Sequence, residues 1–169
     1  LKMFKYDWVW NKSKISGFLN TKKQPLRSHE MISVFYKKQP IYNPQMTQGK
    51  PYDKGIRTPQ TDDDVYGKYK QSHGKNDSGL RYPRSVQYFR TAESEGGFHK
   101  TQKPAALLEY LIKTYTQEGE TVLDFTFGSC STGVACLNTN RKFLGVEMEE
   151  KYFDIGVKRM QESTIKGEK

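Results

Sequence analysis

The stretch from Thr121 to Glu147 constrains the fold of this chain more than any other. Four residues of strand character, Thr121-Val122-Leu123-Asp124, lead into the loop Gly128-Ser129-Cys130-Ser131-Thr132-Gly133. A helical stretch from Ser131 to about Asn138 follows, and Asn140 supplies a residue type that tolerates left-handed backbone. Lys142 to Glu147 then reads as a second strand ending in an acid. A strand, a Gly/Ser loop, a helix and another strand form a unit of an α/β fold. Ahead of it, Pro104 fits the first turn of a helix, with Thr101 as the expected cap. Leu107, Leu108, Leu111, Ile112 and Tyr115 share one face of that helix, which predicts packing against a sheet. Behind the unit, Glu149 to Gln161 reads as a helix with Tyr152, Phe153, Val157 and Met160 on one face. The tail 164–169 is expected to fray.

The N-terminal part carries a different pattern. Phe4, Tyr6, Trp8 and Trp10 fall on one parity, the period of a half-buried strand. Nothing before them can neighbour or cap that strand, so a segment upstream of Leu1 is expected. Residues 11–30 are polar and broken by Gly17 and Pro25, and read as a loop. Met31 to Tyr36 reads as a buried strand. From 39 to 97, prolines 40, 44, 51, 59 and 83 and the triplet Asp62-Asp63-Asp64 interrupt any long periodicity. That span is expected to be an irregular insertion with a strand at Val86 to Phe89, and loops of such length are usually functional.

Charge is unevenly distributed. The net charge is +9, and residues 1–60 hold 12 Lys and Arg against 3 Asp and Glu, so the whole excess lies in the first third. Basic residues interleaved with Tyr, Trp and Phe suit phosphate contact and base stacking; a solvated lysine surface is the alternative. No apolar run is long enough to span a bilayer or form a signal-peptide core, which leads us to expect a soluble, cytoplasmic protein. Cys130 and Cys136 match no zinc spacing and read as free thiols, and His99 has no second His or Cys near it, so no metal site is expected.

The loop Gly128 to Gly133 lets backbone approach a ligand at a helix N-terminus, and Glu147 lies 19 residues beyond Gly128, placed to accept from ribose hydroxyls. A dinucleotide would need Gly-x-Gly-x-x-Gly, and the middle position here is Cys130. The middle glycine admits the pyrophosphate, so an adenosine cofactor without phosphates, such as S-adenosylmethionine, fits better. A purely structural strand–turn–helix is the other reading of this unit alone.

The hexapeptide His99-Lys100-Thr101-Gln102-Lys103-Pro104 separates these readings. With it, the sequence resembles the β group of S-adenosylmethionine-dependent DNA amino-methyltransferases, which modify adenine N6 or cytosine N4. The hexapeptide is similar to that group's His-Pro-Thr-Gln-Lys-Pro. Asp124-Phe125-Thr126-Phe127-Gly128-Ser129-Cys130-Ser131-Thr132 is similar to its Asp-Pro-Phe-x-Gly-Ser-Gly-Thr-Thr, in the same order. The resemblance is strong over 99–160 and weaker over 4–12 and 26–38.

It implies a Rossmann-like S-adenosylmethionine-dependent methyltransferase fold, incomplete in this chain. Residues 1–38 would supply later strands of the sheet, 39–97 a target-recognition insertion, and 98–163 the cofactor-binding half. Thr101, Gln102 and Lys103 would lie at the methionine end of the cofactor, Lys103 or the helix N-terminus meeting its carboxylate. Asp124, Gly128 and Ser129 would line the methionine and sugar, Glu147 would take the ribose hydroxyls, and Met148 would lie against adenine. Lys103 could instead be a solvated helix-start lysine, Asp124 a residue that fixes the loop, and His99 a structural hydrogen-bonder. Arg57, Lys68, Lys70, Arg81 and Arg84 are candidates for contact with double-stranded DNA, with Tyr66, Tyr69 and Tyr82 for stacking. An ordinary surface role is the alternative for each.

Two departures from the family pattern matter. Cys130 stands where the family has glycine, and is strained if that position has positive φ. The catalytic tetrapeptide Asp-Pro-Pro-Tyr, which would hold the acceptor base, is absent from the sequence and is expected upstream of Leu1. The expectation is therefore the C-terminal part of a site-specific DNA methyltransferase, most simply of adenine N6, needing a missing segment or second subunit for its catalytic residues. A catalytically silent DNA-binding fragment or partner subunit is the alternative. A Rossmann-like enzyme of protein or small-molecule substrates fits the basic, aromatic N-terminal third less well.

Phosphate contacts by the basic first third would make double-stranded DNA binding fall steeply between about 50 and 200 mM salt. Fluorescence anisotropy with a labelled duplex measures this, and affinity indifferent to salt would contradict the basic-surface reading.

Overall fold

Rings at alternate positions build the longest strand of the chain, β1 (Phe4–Ser16), because one face of it meets a helix. The computed structural model describes residues 2–57 and 72–167. They form two compact units, Leu1–Asn43 with Arg84–Lys169, and Pro44–Pro83.

In the first unit β1 is the middle of three strands. It runs antiparallel to β2 (Arg27–Phe35) and, in the same sheet, parallel to Val86–Phe89, with Trp8 opposite Ile32 and Trp10 opposite Glu30. Trp8 and Trp10 are 5% and 3% exposed. Such burial requires a partner for each indole N–H. Trp8 donates to the Tyr115 hydroxyl at 2.6 Å, and Trp10 to the Phe89 carbonyl at 3.0 Å. The ring of Tyr110 meets Trp8 and Phe89 edge-on, at 5.7 and 5.6 Å, so helix α1 (Ala105–Tyr115) covers this sheet as its apolar face predicts.

Residues 11–30 are not a loop throughout. β1 continues to Ser16 and β2 begins at Arg27, with Asn11 opposite His29 and Ser16 opposite Arg27. A ladder is a backbone structure, so polar side chains extend it wherever pairing has already begun. Nor is Met31 to Tyr36 fully buried: Met31 and Phe35 are exposed while Ile32 and Val34 are half-buried.

The second unit contains more order than an irregular insertion would. β3 (Thr47–Gln48) pairs with β6 (Leu80–Arg81), and β4 (Tyr52–Arg57) with β5 (Ser72–Asn76), all antiparallel. Asn76 accepts the Gly79 N–H at 2.8 Å and donates to the Leu80 carbonyl at 2.7 Å, closing the turn between β5 and β6. Gly79 has φ +72°, and a Cβ there would fall 2.2 Å from the Gly49 carbonyl oxygen, so only glycine fits. The remaining strand of the 39–97 span, Val86–Phe89 (β7), is the one that joins β1.

α1 starts at Ala105, three residues after the start that a Thr101 cap would set, with Pro104 at the N-cap position. Thr101 does not cap it. The first free N–H, that of Ala105, goes to the Glu95 carboxylate at 3.1 Å from each oxygen, an acid well placed at a helix N-terminus. At the other end Asn43 donates through Nδ2 to the carbonyls of Lys113 and Thr116, each at 3.2 Å. β8 (Thr121–Asp124) and β9 (Lys142–Gly145) pair in parallel, joined through α2 (Ser131–Asn138), as the pattern predicts. Ile112, Ala135 and Cys136, with Leu108, Val122 and Phe143 around them, make the core between α1, α2 and this pair. Both cysteines are free, and burial pushes each thiol up to about 11.

α3 (Glu150–Gly167) runs past Ser163. Its buried face is led by Gly156 and Arg159, whereas Phe153 and Val157 stay largely exposed. Apolar periodicity cannot register a glycine or an arginine as core. Among the described residues no helix is long and apolar enough to cross a membrane.

Gly156→Ala separates propensity from packing. Alanine gains about 1 kcal/mol in a helix interior, but its Cβ would lie 2.7 Å from the Phe127 ring and 2.9 Å from Cys130 Cβ. Overpacking of that kind costs about 1–3 kcal/mol. Denaturant unfolding should show a net loss of about 1 kcal/mol; a gain would mean that α3 is not packed as described.

Candidate functional site

The loop after β8 is held by three side chains from different parts of the sequence. Asp124 accepts the Thr126 N–H at 3.1 Å through one carboxylate oxygen and the Thr132 hydroxyl at 2.6 Å through the other. Arg159, buried in α3, donates to the Ser129 carbonyl and, at 3.3 Å, to the Ser131 hydroxyl, with its guanidinium 4.9 Å from the Phe98 ring. Burial lowers the pKa of Arg159, and the nearby Glu95 carboxylate opposes that. Glu147, just beyond β9, accepts the Gly128 N–H at 2.7 Å, and those of Met148 and Glu149 at 3.0 Å each.

The backbone turns through left-handed conformations at Gly128 (φ +53°) and at Cys130 (φ +59°), so the strain expected at Cys130 is present. Its side chain does not obstruct the loop's outer face. It is buried, and a Cβ on Gly133 would lie 2.4 Å from its Sγ, so the thiol packs inward against α2 and Gly156 of α3. Asn140 is the other non-glycine residue with positive φ among the described residues, at +57°, as its type predicts.

The hexapeptide folds against this loop. His99 accepts the Thr101 N–H at 3.2 Å through Nδ1, which leaves its ring proton on Nε2, and the Thr101 hydroxyl lies 2.9 Å from the same nitrogen. The His99 ring rests edge-on against Tyr152 at 4.3 Å, beside Gly128. Gln102 accepts the Phe98 N–H at 3.0 Å through Oε1, while its buried Nε2 has no hydrogen-bond partner. Lys103 reaches Glu30 on β2 at 2.6 Å and lies 5.7 Å from the centre of the Trp10 ring.

Together these elements line an open cavity of about 340 Å³ whose walls include Thr101, Gln102, Lys103, Asp124, Gly128 and Ser129. Six of the eight residues selected from sequence for one ligand thus line one space, drawn from two motifs. Glu147 and Met148 are not in its wall. Glu147 adjoins it through Gly128; Met148 is 91% exposed. Three N–H groups occupy three of the roughly four lone-pair positions of the Glu147 carboxylate, which leaves room for one hydroxyl rather than two. Asp124 does what a loop-fixing residue does and also faces the cavity.

A second cavity, of about 370 Å³, shares His99, Thr101, Gln102 and Lys103 with the first and adds Trp10, Lys12, Glu30 and Lys100. Burial alone would raise the Glu30 pKa, but Lys103 and then Lys12 hold its carboxyl below the usual range. Sequence reasoning missed Glu30, Glu95 and Arg159. None lies in a motif, and the partners of Glu30 and Arg159 are distant in the chain.

The described DNA-contact candidates fall in both units. Arg81 stacks on Tyr52 at 4.5 Å and donates to the Lys50 carbonyl at 2.6 Å within the second unit. Arg84 and Tyr82 are exposed, and Arg57 ends β4. Lys68, Lys70, Tyr66 and Tyr69 lie outside the described residues.

Residues 2–158 match the model of a family described as N6_N4_Mtase, DNA methylase. Over 155 residues the chain is 30% identical to the type II methyltransferase M.XycI of Xanthomonas campestris pv. cyanopsidis, covering 92% of this chain and 43% of that protein. Over 62 residues it is 40% identical to the DNA adenine methyltransferase YhdJ of Escherichia coli (strain K12), covering 37% of this chain and 21% of that protein. The chain therefore spans less than half the length of these relatives. Among solved structures, the complex of M1.HpyAVI with SAM superposes with a TM-score of 0.61 at 25% identity, over 93% of this chain and 62% of that one.

The three N–H groups on Glu147, those of Glu149 and Gly128 foremost, lower its pKa, with slight desolvation acting the other way. A carboxyl whose folded pKa is depressed helps the fold above its unfolded pKa and loses that help as pH falls through the folded one. NMR titration of the Glu147 carboxyl should give a midpoint below that of an unstructured glutamate; a midpoint at or above it would contradict the hydrogen bonding.

Proposed function

The chain belongs to the DNA methylase family, and from that premise we propose that it is part of a site-specific DNA amino-methyltransferase, carrying its cofactor half-site and target-recognition region. The observation that carries this is the cavity in which the hexapeptide and the Gly/Ser loop converge. Its size suits a small-molecule site. Gln102 and Lys103, an amide and a cation, line the same wall, a combination complementary to a ligand carboxylate. S-adenosylmethionine has such a carboxylate, and when bound it supplies an electrophilic methyl group on sulfonium.

The chain's own residues then have separable tasks. Gln102 Nε2 and Lys103 hold the amino-acid end. Gly128, free of a side chain, lets the ligand lie against the loop, and Glu147 accepts one ribose hydroxyl at its remaining lone pair. Asp124, by fixing Thr126 and Thr132, keeps the loop in the shape that exposes Gly128. Adenine N6 is the acceptor we favour, on the similarity to the Escherichia coli adenine enzyme. Double-stranded DNA would meet the basic first third and residues 39–97.

A second reading is a DNA-binding or partner subunit with no transfer activity of its own, with which the basic first third and Cys130 are compatible. Two measurements test the half-site and the acceptor site in turn. Calorimetry should show S-adenosylmethionine binding one site, weakened about tenfold or more in Glu147→Ala; no binding by the unmutated chain refutes the half-site. Transfer of labelled methyl to DNA by this chain alone should be absent, and observed transfer would show that the acceptor site lies within these residues.

A further inference from the structure

Glu30 lies outside every motif of the sequence, yet it has the shortest side-chain contact with Lys103. From β2 it sits opposite Trp10 in register. One oxygen accepts from Lys103 Nζ at 2.6 Å, the other from Lys12 Nζ at 3.4 Å. The Lys12 side chain is only 9% exposed, so its charge depends on Glu30 for compensation. Lys103 lines both cavities, whereas Glu30 lines only the second of the two. Glu30 therefore holds Lys103 from behind, on the side away from the candidate ligand.

An ammonium has three donors, and the bond to Glu30 uses one of them. A free lysine side chain samples many rotamers, and binding with it must restrict them. Here the bond to Glu30 and the underlying Trp10 ring restrict them before any ligand arrives. A ligand carboxylate can then take a remaining N–H without displacing Glu30.

We propose that Glu30 is a positioning residue, which presets the Lys103 ammonium in the cavity wall for the carboxylate of the ligand. The proposal rests on the reading of that cavity as the S-adenosylmethionine site. It predicts a dependence on the ligand's carboxylate that a general structural role would not produce.

Calorimetry with two ligands tests it, S-adenosylmethionine and methylthioadenosine, the second lacking the amino-acid carboxylate. Glu30→Gln, close in shape to the original, should weaken S-adenosylmethionine about tenfold and leave methylthioadenosine unchanged. In a Lys103→Met background the same substitution should have no further effect, since coupled residues do not act additively. Unchanged or tighter S-adenosylmethionine binding by Glu30→Gln overturns the proposal, as do equal losses for both ligands or additive losses in the double variant. If circular dichroism shows that Glu30→Gln does not fold, Glu30→Asp replaces it. Keeping the charge one methylene short, it should give a smaller loss confined to S-adenosylmethionine, and no such loss overturns the proposal. Absence of S-adenosylmethionine binding by the unmutated chain instead defeats the cavity reading itself, and this inference with it.

Discussion

Everything at the site depends on a backbone that turns left-handed twice within three residues, at Gly128 and Cys130. The first turn aims the Gly128 N–H at Glu147 and keeps its surface bare. The second starts α2, with the Cys130 carbonyl accepting the Val134 N–H at 3.1 Å. For a residue with a side chain the left-handed region costs about 1–2 kcal/mol. Burial of the thiol between Gly133 and Gly156 offsets that cost, and both glycines are needed because a Cβ at either would collide with Cys130. A residue that breaks the family's glycine pattern is thus accommodated from the inner side, away from the cavity.

The loop is not rigid by virtue of its own sequence. Asp124 fixes it from the preceding strand, Glu147 from the end of β9, and Arg159 from α3. Arg159 is the most exacting of these. A buried guanidinium has to be paired and hydrogen-bonded, and it finds the Ser129 carbonyl, the Ser131 hydroxyl and the face of Phe98. Phe98 in turn donates its N–H to Gln102, so α3 links the Gly/Ser loop to the hexapeptide. The two motifs stand in one wall because a third element holds both.

The opposite side of the hexapeptide is governed by β1. Trp10, buried against Phe89, gives Lys103 a flat aromatic surface, and Glu30 across the ladder gives it a counter-charge. Two neighbouring cavities therefore share Lys103, one beside the Gly/Ser loop and one beside the basic strand. The excess positive charge of the first third is locally tempered here, since Lys12 pairs with Glu30 and Lys14 with Glu93.

By itself the sequence determined the β8–α2–β9 unit, the parity of Trp8 and Trp10, the left-handed position at Asn140, and six residues that line one cavity. Each of these follows from short-range chemistry: backbone tolerance, side-chain period, or a motif whose spacing is local. Tertiary structure alone decided how far β1 and β2 extend, which face of α3 is buried, that Glu95 rather than Thr101 caps α1, and that Lys103 meets Glu30 across 73 residues of chain. Strand pairing, the burial of a glycine or an arginine, and an ion pair between distant residues are interactions whose partners meet only once the chain has folded; the Glu95 cap, though ten residues from Ala105, carries no motif that marks it.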